Sequence, residues 1–219
     1  MKRVGYKKNQ LKDKFDSFYK DGESHWKFDQ NDRLYRKKRE LVELFIDKSK
    51  YILDLGCAEG NFLVSIIESN DNKVIVGVDI AENAIALAKN QGLYNELYVS
   101  FIDDIHIYTQ HIQEYDLILL NEVLYYVDNY IQTLDTILKL SSKYIFISLA
   151  MGPQFFTKSD LIKIKKSFKT NGYKLIKQNL YDMDYKLGIP IRFLEKFYRI
   201  VRGIELKQTH KYILIYEKI

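Results

Sequence analysis

The sequence predicts an α/β domain, with a mostly parallel sheet and helices on both faces. Three observations carry that prediction. Short apolar runs alternate with helix-patterned segments along the chain. The stretch Tyr51-Ile-Leu-Asp-Leu-Gly-Cys-Ala-Glu-Gly-Asn-Phe62 passes from an apolar run through a small-residue turn into a second apolar run, the opening of a strand–turn–helix unit. Acids recur where apolar runs end, at Asp79, Asp103-Asp104 and Glu122, as suits a crevice at the carboxyl ends of parallel strands.

The elements follow in order. Residues 1–24 are polar and basic, with Phe15, Phe18 and Tyr19 marking a short helix. His25 and the only tryptophan, Trp26, come next. A helix is expected from Arg33 to Ile46, capped by Asp32, with Leu34, Leu41, Leu44 and Phe45 on one face. The first strand is Tyr51 to Leu55, and a helix runs from Asn61 to about Glu68 before a turn at Asp71-Asn72. The second strand is Val74 to Asp79. The helix from Glu82 to about Gln91 turns Ala84, Ile85, Leu87 and Ala88 to the sheet and stops at Gly92. The third strand is Leu97 to Ile102; a loop opens at Asp103-Asp104, and Ile105 to Gln113 is read as ambiguous, with one short helix as the option. The fourth strand, Tyr115 to Leu120, leads into Asn121-Glu-Val-Leu-Tyr-Tyr126. An amphipathic helix (Tyr130 to Leu140), a fifth strand (Lys143 to Leu149), a loop with Gly152-Pro153 and a basic helix from Ser159-Asp160 to Thr170 come next. Gly172 stops that helix, and Tyr173 to Leu180 is a sixth strand. Residues 182–207 read as an insertion, helical from Ile191 to Val201, and His210 to Lys218 as a final strand.

A length of 219 residues with 47% hydrophobic side chains suits one domain spanning 1–219, with a helical cap or lid over 1–48. The two prolines, Pro153 and Pro190, mark no linker. The single Cys57 excludes an internal disulfide, and no Cys/His cluster has metal-ligand spacing. No apolar run reaches the roughly 18 residues of a membrane span, and the Lys-rich start lacks the apolar segment of a signal peptide. A cytoplasmic protein is expected. Charge is uneven: residues 1–50 carry 15 basic and 9 acidic side chains, residues 51–150 carry 4 and 14, and residues 151–219 carry 15 and 6. The acidic middle suits a cationic cofactor. The basic flanks are either a solvated surface or face an anionic acceptor.

Gly56 and Gly60 let backbone approach a ligand closely. Their pattern, Asp-x-Gly-x-x-x-Gly, departs from G-x-G-x-x-G because position 58 is Ala. Asp79 lies 19 residues beyond Gly60, where a carboxylate at a strand tip grips both ribose hydroxyls.

Over residues 50–150 these four motifs, in this order, resemble the class I S-adenosylmethionine (SAM) dependent methyltransferases. Trp26 and Asn121 to Tyr126 extend the likeness to the nodulation-type N-methyltransferases of chito-oligosaccharides. The resemblance implies a Rossmann-like, seven-stranded sheet whose last strand is antiparallel and inserted between the fifth and sixth, and SAM as cofactor. It implies that the Gly56–Gly60 turn, with Cys57 as small filler, takes the methionine end, and that Asp54 orders this loop and contacts the amino group. Asp79 holds the ribose; Asp104, or Asp103 one position away, accepts from the adenine amino group; Ile80 and Ile105 wall the adenine. Asn121 and Glu122 lie beside the transferred methyl. Glu122, Tyr126 and His25 are the candidate catalytic residues. Glu122 holds an acceptor ammonium or takes its proton, or else is only a helix cap. Many relatives have His where Tyr126 stands, which removes a histidine base from that position. His25 and Trp26 close over the cofactor as a lid, with the indole face attracting the sulfonium; His210 is a weaker catalytic candidate. The chain lacks the Asn-Pro-Pro-Tyr or Asp-Pro-Pro-Tyr of DNA amino-methyltransferases, so DNA is not expected as a partner. The expected activity is methyl transfer to N or O of a small or medium polar acceptor, an amino sugar or glycan-related molecule first. RNA or protein methylation, or a non-catalytic SAM-binding subunit, is the alternative, and the oligomeric state stays open.

Overall fold

The apolar runs form the seven strands of one sheet: β1 (Tyr51–Leu55), β2 (Val74–Asp79), β3 (Glu96–Val99), β4 (Glu114–Asn121), β5 (Ser141–Met151), β6 (Tyr173–Asp182) and β7 (His210–Lys218). The computed structural model describes residues 8–21, 33–67, 72–109, 114–152, 155–182 and 210–219. His25, Trp26, Asp32, Pro153 and the expected helix from Ile191 to Val201 lie outside the described residues. The strand order is β3-β2-β1-β4-β5-β7-β6. Strands β1 to β5 pair in parallel, and β7 runs antiparallel to both β5 and β6. This is the Rossmann-like arrangement, with the last strand between the fifth and sixth.

The central strands are buried on both faces, which is why they read as continuous apolar runs. Leu53, Val76, Ile118 and Ile145 point to one face, where they meet Leu134 and Ile137 of α5 (Tyr130–Ile137) and Ile164 and Phe168 of α6 (Lys158–Thr170). Ile52, Ile75, Leu117 and Phe146 point to the other, against Val42 and Ile46 of α2 (Arg33–Ile46) and Phe62 and Leu63 of α3 (Asn61–Val64). Phe168 stacks on Tyr216 of β7 at 3.6 Å. Asp116 of β4 accepts from the backbone N–H groups of Lys50 and Tyr51 at 2.8 and 2.9 Å, pinning the register of β1 on β4. Two further helices, α1 (Lys8–Phe18) and α4 (Glu82–Asn90), pack together beside the sheet, joined through Tyr19 and Ala84. Among the described residues no helix is long and apolar enough to cross a membrane.

Several expected boundaries shift. The helix after β1 is a single turn, not a run to Glu68. Strand β3 ends at Val99, so Ser100, Phe101 and Ile102 leave the ladder. Among the described residues of the segment after Asp104, Ile105–Ile107 forms one 3₁₀ turn. Helix α6 begins from Thr157 rather than Ser159. Thr157 Oγ1 accepts from the Asp160 N–H at 3.2 Å and Asp160 accepts back at 2.8 Å, a reciprocal capping box. Of the residues expected on the inner face of α2, Phe45 is buried and Leu41 packs against the same cluster, but Leu44 is 51% exposed; Tyr35, Lys38, Val42 and Ile46 are buried as well. The packed stripe from Tyr35 to Ile46 carries Lys38, which an apolar count alone does not place.

Candidate active site

A cavity of about 470 Å³ opens at the carboxyl ends of β1, β2 and β4, where the strand order reverses and a parallel sheet leaves a crevice. Asp79, at the tip of β2, is buried beside it and accepts from the backbone N–H groups of Ala58 and Ala81, both at 2.9 Å. One carboxylate thus ties the Gly-rich turn to the start of α4. Burial pushes its pKa up to about 6 against these two N–H bonds. Deeper lies Asp54 of β1, 2% exposed. Burial raises it to about 7, although it accepts from the Tyr94 hydroxyl at 2.8 Å. Tyr94 reaches Asp54 across Gly77, whose register partner on β1 is Asp54 itself. A Cβ at Gly77 would lie 2.8 Å from the Tyr94 ring, so the missing side chain is what lets the hydroxyl through.

The turn between β1 and α3 is strained for side-chain-bearing residues. Ala58 has φ 52° and Gly56 φ 76°. A Cβ at Gly56 would meet Val123 Cγ2 at 2.5 Å. Gly56→Ala is therefore expected to cost roughly 1–3 kcal/mol in stability through strain and displacement of Val123. It should also weaken cofactor binding, read by thermal melting with and without S-adenosylhomocysteine (SAH). An unchanged melting temperature would show that the turn relaxes freely.

Two lysines also line the cavity, beside the tip of β4. Lys38 of α2, 4% exposed, donates to Asn121 at 2.9 Å and to Glu122 at 2.6 Å. Lys211 of β7 donates to both oxygens of Glu122 at 2.7 and 2.6 Å. Glu122 itself stands just past β4 at φ 59°, an uncommon conformation for a residue with a side chain. Burial opposes its ionisation, but the two ammonium groups outweigh burial and hold its pKa at about 2. An acid so stabilised is a poor proton acceptor at neutral pH, so the structure argues against Glu122 as a general base. Its Oε1 already accepts from Lys38 and Lys211 and its Oε2 from Lys211.

Helix α1 closes one wall. Leu11, Phe15 and Tyr19 line the cavity, and Phe15 meets Tyr126 edge to face at 5.0 Å. Lys8 pairs with Asp103 and Asp104 at 2.9 and 3.0 Å; Lys12 pairs with Glu82 at 2.8 Å; Asp16 accepts from the Glu82 N–H at 2.7 Å.

The structure brings Asp54, Gly56, Cys57, Asp79, Ile80, Asn121, Glu122 and Tyr126 to one cavity. It does not bring Gly60, Asp103, Asp104 or Ile105 to the lining. Gly60 turns the chain at φ 84°. Asp103 and Asp104 lie at the rim on Lys8, and Ile105 packs against the core. Ser100 and Phe101 line the cavity instead, because β3 ends early. His25 and Trp26 are outside the described residues, and His210 is described by its backbone alone. Sequence reasoning missed Lys38, Lys211 and Tyr94; it expected a cap over 1–48 with a short helix at Phe15, Phe18 and Tyr19, and Phe15 and Tyr19 line the cavity. Lys38 left a signal, the only charge on the buried stripe of α2; Lys211, at the start of a Tyr- and Ile-rich strand, left none. Among the described residues no His/Cys/Asp/Glu group is arranged to hold a metal.

Comparison with known proteins agrees with this geometry. A family profile described as "Methyltransferase domain" matches residues 46–199. The ubiquinone biosynthesis O-methyltransferase of Coxiella burnetii is 35% identical over 81 residues, 36% of this chain and 34% of that protein. The match thus spans about a third of that relative's length. Among solved structures, the N-methyltransferase NodS from Bradyrhizobium japonicum in complex with SAH aligns with TM-score 0.61 at 15% identity, over 88% of this chain and 91% of that one. The Burkholderia thailandensis 1,6-didemethyltoxoflavin-N1-methyltransferase, with bound 1,6-didemethyltoxoflavin and SAH, aligns with TM-score 0.62 at 15% identity, over 100% and 93%. At such identities the structures speak for the fold alone, and the profile speaks for the family. With the strand order, the acids of β1 and β2 and the matched residues in hand, this chain belongs to the methyltransferase-domain family, of the class I SAM-dependent kind.

Proposed function

We propose that this chain transfers the methyl group of SAM to a nitrogen or oxygen of a small acceptor seated between Phe15, Tyr126 and the Lys38–Glu122–Lys211 end of the cavity. The observation that carries the reading is the Asp79 carboxylate, fixed by two backbone N–H groups at the mouth of a cavity whose cofactor end is acidic. The residues fit the cofactor. The volume lies within the range of small-ligand sites, Asp79 suits a pair of ribose hydroxyls, Asp54 suits an amino group, and Ile80 and Phe101 supply apolar surface for a flat ring. SAM supplies an electrophilic methyl on a sulfonium.

The chain's own contribution is alignment, exclusion of water and charge. Alignment of an in-line displacement accounts for much of such a barrier reduction. Glu122 is too acidic to take a proton, and burial holds the Tyr125 hydroxyl far above neutrality. In this reading an amine acceptor arrives neutral, and a hydroxyl acceptor ionises with help from the positive charge of Lys38 and Lys211. An amino-sugar ammonium would meet two like charges at that end, so the glycan acceptor ranks below a neutral or anionic one. DNA is not the partner in this reading, and the buried, unpaired Cys57 is compatible with a cytoplasmic setting.

Helix α1 acts as the lid in this reading. Lys8 is 50% and Lys12 33% exposed, so their ion pairs hold α1 by only about 0–1 kcal/mol each. Tyr19, packed on Ala81 and Ala84, supplies the rest of the hold, and a lid of this kind orders further on ligand. Protease cleavage within residues 8–21 should slow several-fold when SAH is added, and deletion of residues 1–28 should leave a folded sheet with poor turnover. Cleavage indifferent to SAH, or a fully active truncation, removes the lid.

The direct test is calorimetry with SAM and SAH, followed by SAH release across a panel of neutral amines, phenols and acids. A folded protein that binds neither SAM nor SAH defeats the proposal.

A further inference from the structure

Tyr94 lies between α4 and β3, in no strand or helix, and it does not line the cavity. Its hydroxyl nevertheless donates at 2.8 Å to Oδ2 of Asp54, which does. The two residues are 40 positions apart. Two glycines make room for the contact. A Cβ on Gly77 of β2 would lie 2.8 Å from the Tyr94 ring, and one on Gly60 would lie 2.8 Å from Tyr94 Cε2. Gly77 is not among the glycines with positive φ, so space for its neighbours, not backbone conformation, is what a side chain there would cost. The chain beside the ring is fixed. The Asn95 N–H donates to the Ile75 carbonyl at 2.9 Å, and the Ile75 N–H donates to Asn95 Oδ1 at 2.8 Å, stitching this segment to β2. Burial pushes the Tyr94 hydroxyl far up, so it stays a donor at neutral pH. A donor held this way orients the carboxylate it contacts. With Oδ2 taken, Oδ1 is the oxygen left for a ligand.

We infer that Tyr94 is a positioning residue for the cofactor: from outside the cavity it fixes Asp54 so that the second carboxylate oxygen meets the amino group of SAM. The inference rests on the methyl-transfer reading above, with Asp54 as the partner of that amino group. Gly60 and Gly77 then share a further duty, as the space through which Tyr94 works. The hydroxyl also favours the charged carboxylate against burial, because a hydrogen bond donated to an anion stabilises it. The other titratable groups around this carboxylate are Asp79 of β2, whose charge opposes ionisation of Asp54, and the buried Cys57 thiol; Glu59 acts in turn on Asp79. The lysines that line the cavity contact Glu122.

The test compares SAH with 5′-methylthioadenosine, which keeps adenine and ribose but has neither amino nor carboxylate group, by calorimetry on the full chain. Tyr94→Phe removes one hydroxyl. It is expected to weaken SAH about ten-fold, the scale of a hydrogen bond to a charged group, while 5′-methylthioadenosine stays within about two-fold. It should also move the pH at which the preference for SAH is lost upward from about 7, since the charged carboxylate has lost a donor. Added to Asp54→Asn, Tyr94→Phe should change SAH affinity by no more than about two-fold, because it acts through that carboxylate. Equal loss for both ligands marks ordinary packing and overturns the inference, as does a Tyr94→Phe protein with the wild-type preference for SAH. Should Tyr94→Phe not fold, the wild type decides: its preference for SAH must fall as pH drops through about 7, and a flat ratio overturns the inference. Wild type that binds neither ligand strikes the methyltransferase reading instead, so the two failures are told apart.

Discussion

Asp79→Ala should lower SAH affinity by about 100-fold, near 3 kcal/mol, while the sheet stays folded. Two losses combine in that number. The carboxylate's proposed charge-assisted bonds to the ribose are worth roughly 1.5–3 kcal/mol. The same carboxylate accepts from Ala58 and Ala81, so its removal leaves two N–H donors near the cavity without their acceptor and loosens the Gly56–Gly60 turn. Asp79→Asn keeps one oxygen acceptor and is expected to fall between wild type and alanine. Titration calorimetry decides: a folded Asp79→Ala protein with wild-type SAH affinity would falsify the assignment of Asp79 to the cofactor.

Asp54→Asn should do two opposite things, stabilising the free protein at pH 8 and weakening the cofactor. Burial lifts the Asp54 pKa from an ordinary carboxylate value to about 7. The native state then binds more protons than the unfolded chain between about pH 4 and 7. By linkage this group's contribution makes the protein less stable as pH rises through that window. At pH 8 the buried charge costs on the order of 4 kcal/mol, at about 1.4 kcal/mol per pKa unit. Asparagine removes the charge and still offers an oxygen to the Tyr94 hydroxyl. The melting temperature of the free variant should therefore exceed wild type at pH 8, with the gap closing by pH 5.5. SAM binding should fall ten-fold or more, because the amino group loses its anionic partner. In the wild type, SAM affinity should decline as pH drops from 8 to 5.5, when Asp54 and then Asp79, at about 6, take up protons. A variant no more stable than wild type at pH 8 would show that Asp54 is paid for by contacts other than the cofactor.

The strands and the cofactor end were legible because their signals are local. A buried parallel strand writes itself as an apolar run, and the order Tyr51–Leu55, Val74–Asp79, Tyr115–Leu120 needed only that. His210 to Lys218 matches β7 from end to end. Asp54, Gly56 and Asp79 were found because a turn and a strand tip have short sequence signatures, and the structure gathers them in one cavity. Asp103 and Asp104 had the same kind of signature yet lie at the rim on Lys8. Their segment leaves the sheet three residues before the run of apolar side chains ends, and no local pattern marks where a ladder loses its partner.

By itself, then, the sequence determined the α/β class and the acidic cofactor end, since each depends on residues within about thirty positions of one another, and the strand order through resemblance alone. Tertiary structure alone decided the rest. Lys38 and Glu122 are 84 positions apart, and Lys211 and Glu122 are 89 apart. They meet because β7 folds back between β5 and β6 and α2 crosses the same end of the sheet. That meeting turns Glu122 from a candidate base into a stabilised anion: the low pKa comes from charges that the chain's own neighbourhood does not contain. Helix α1 likewise has a weak pattern, and it becomes a cavity wall through ion pairs to the segments after β2 and β3 and through Tyr19 packed on Ala81 and Ala84.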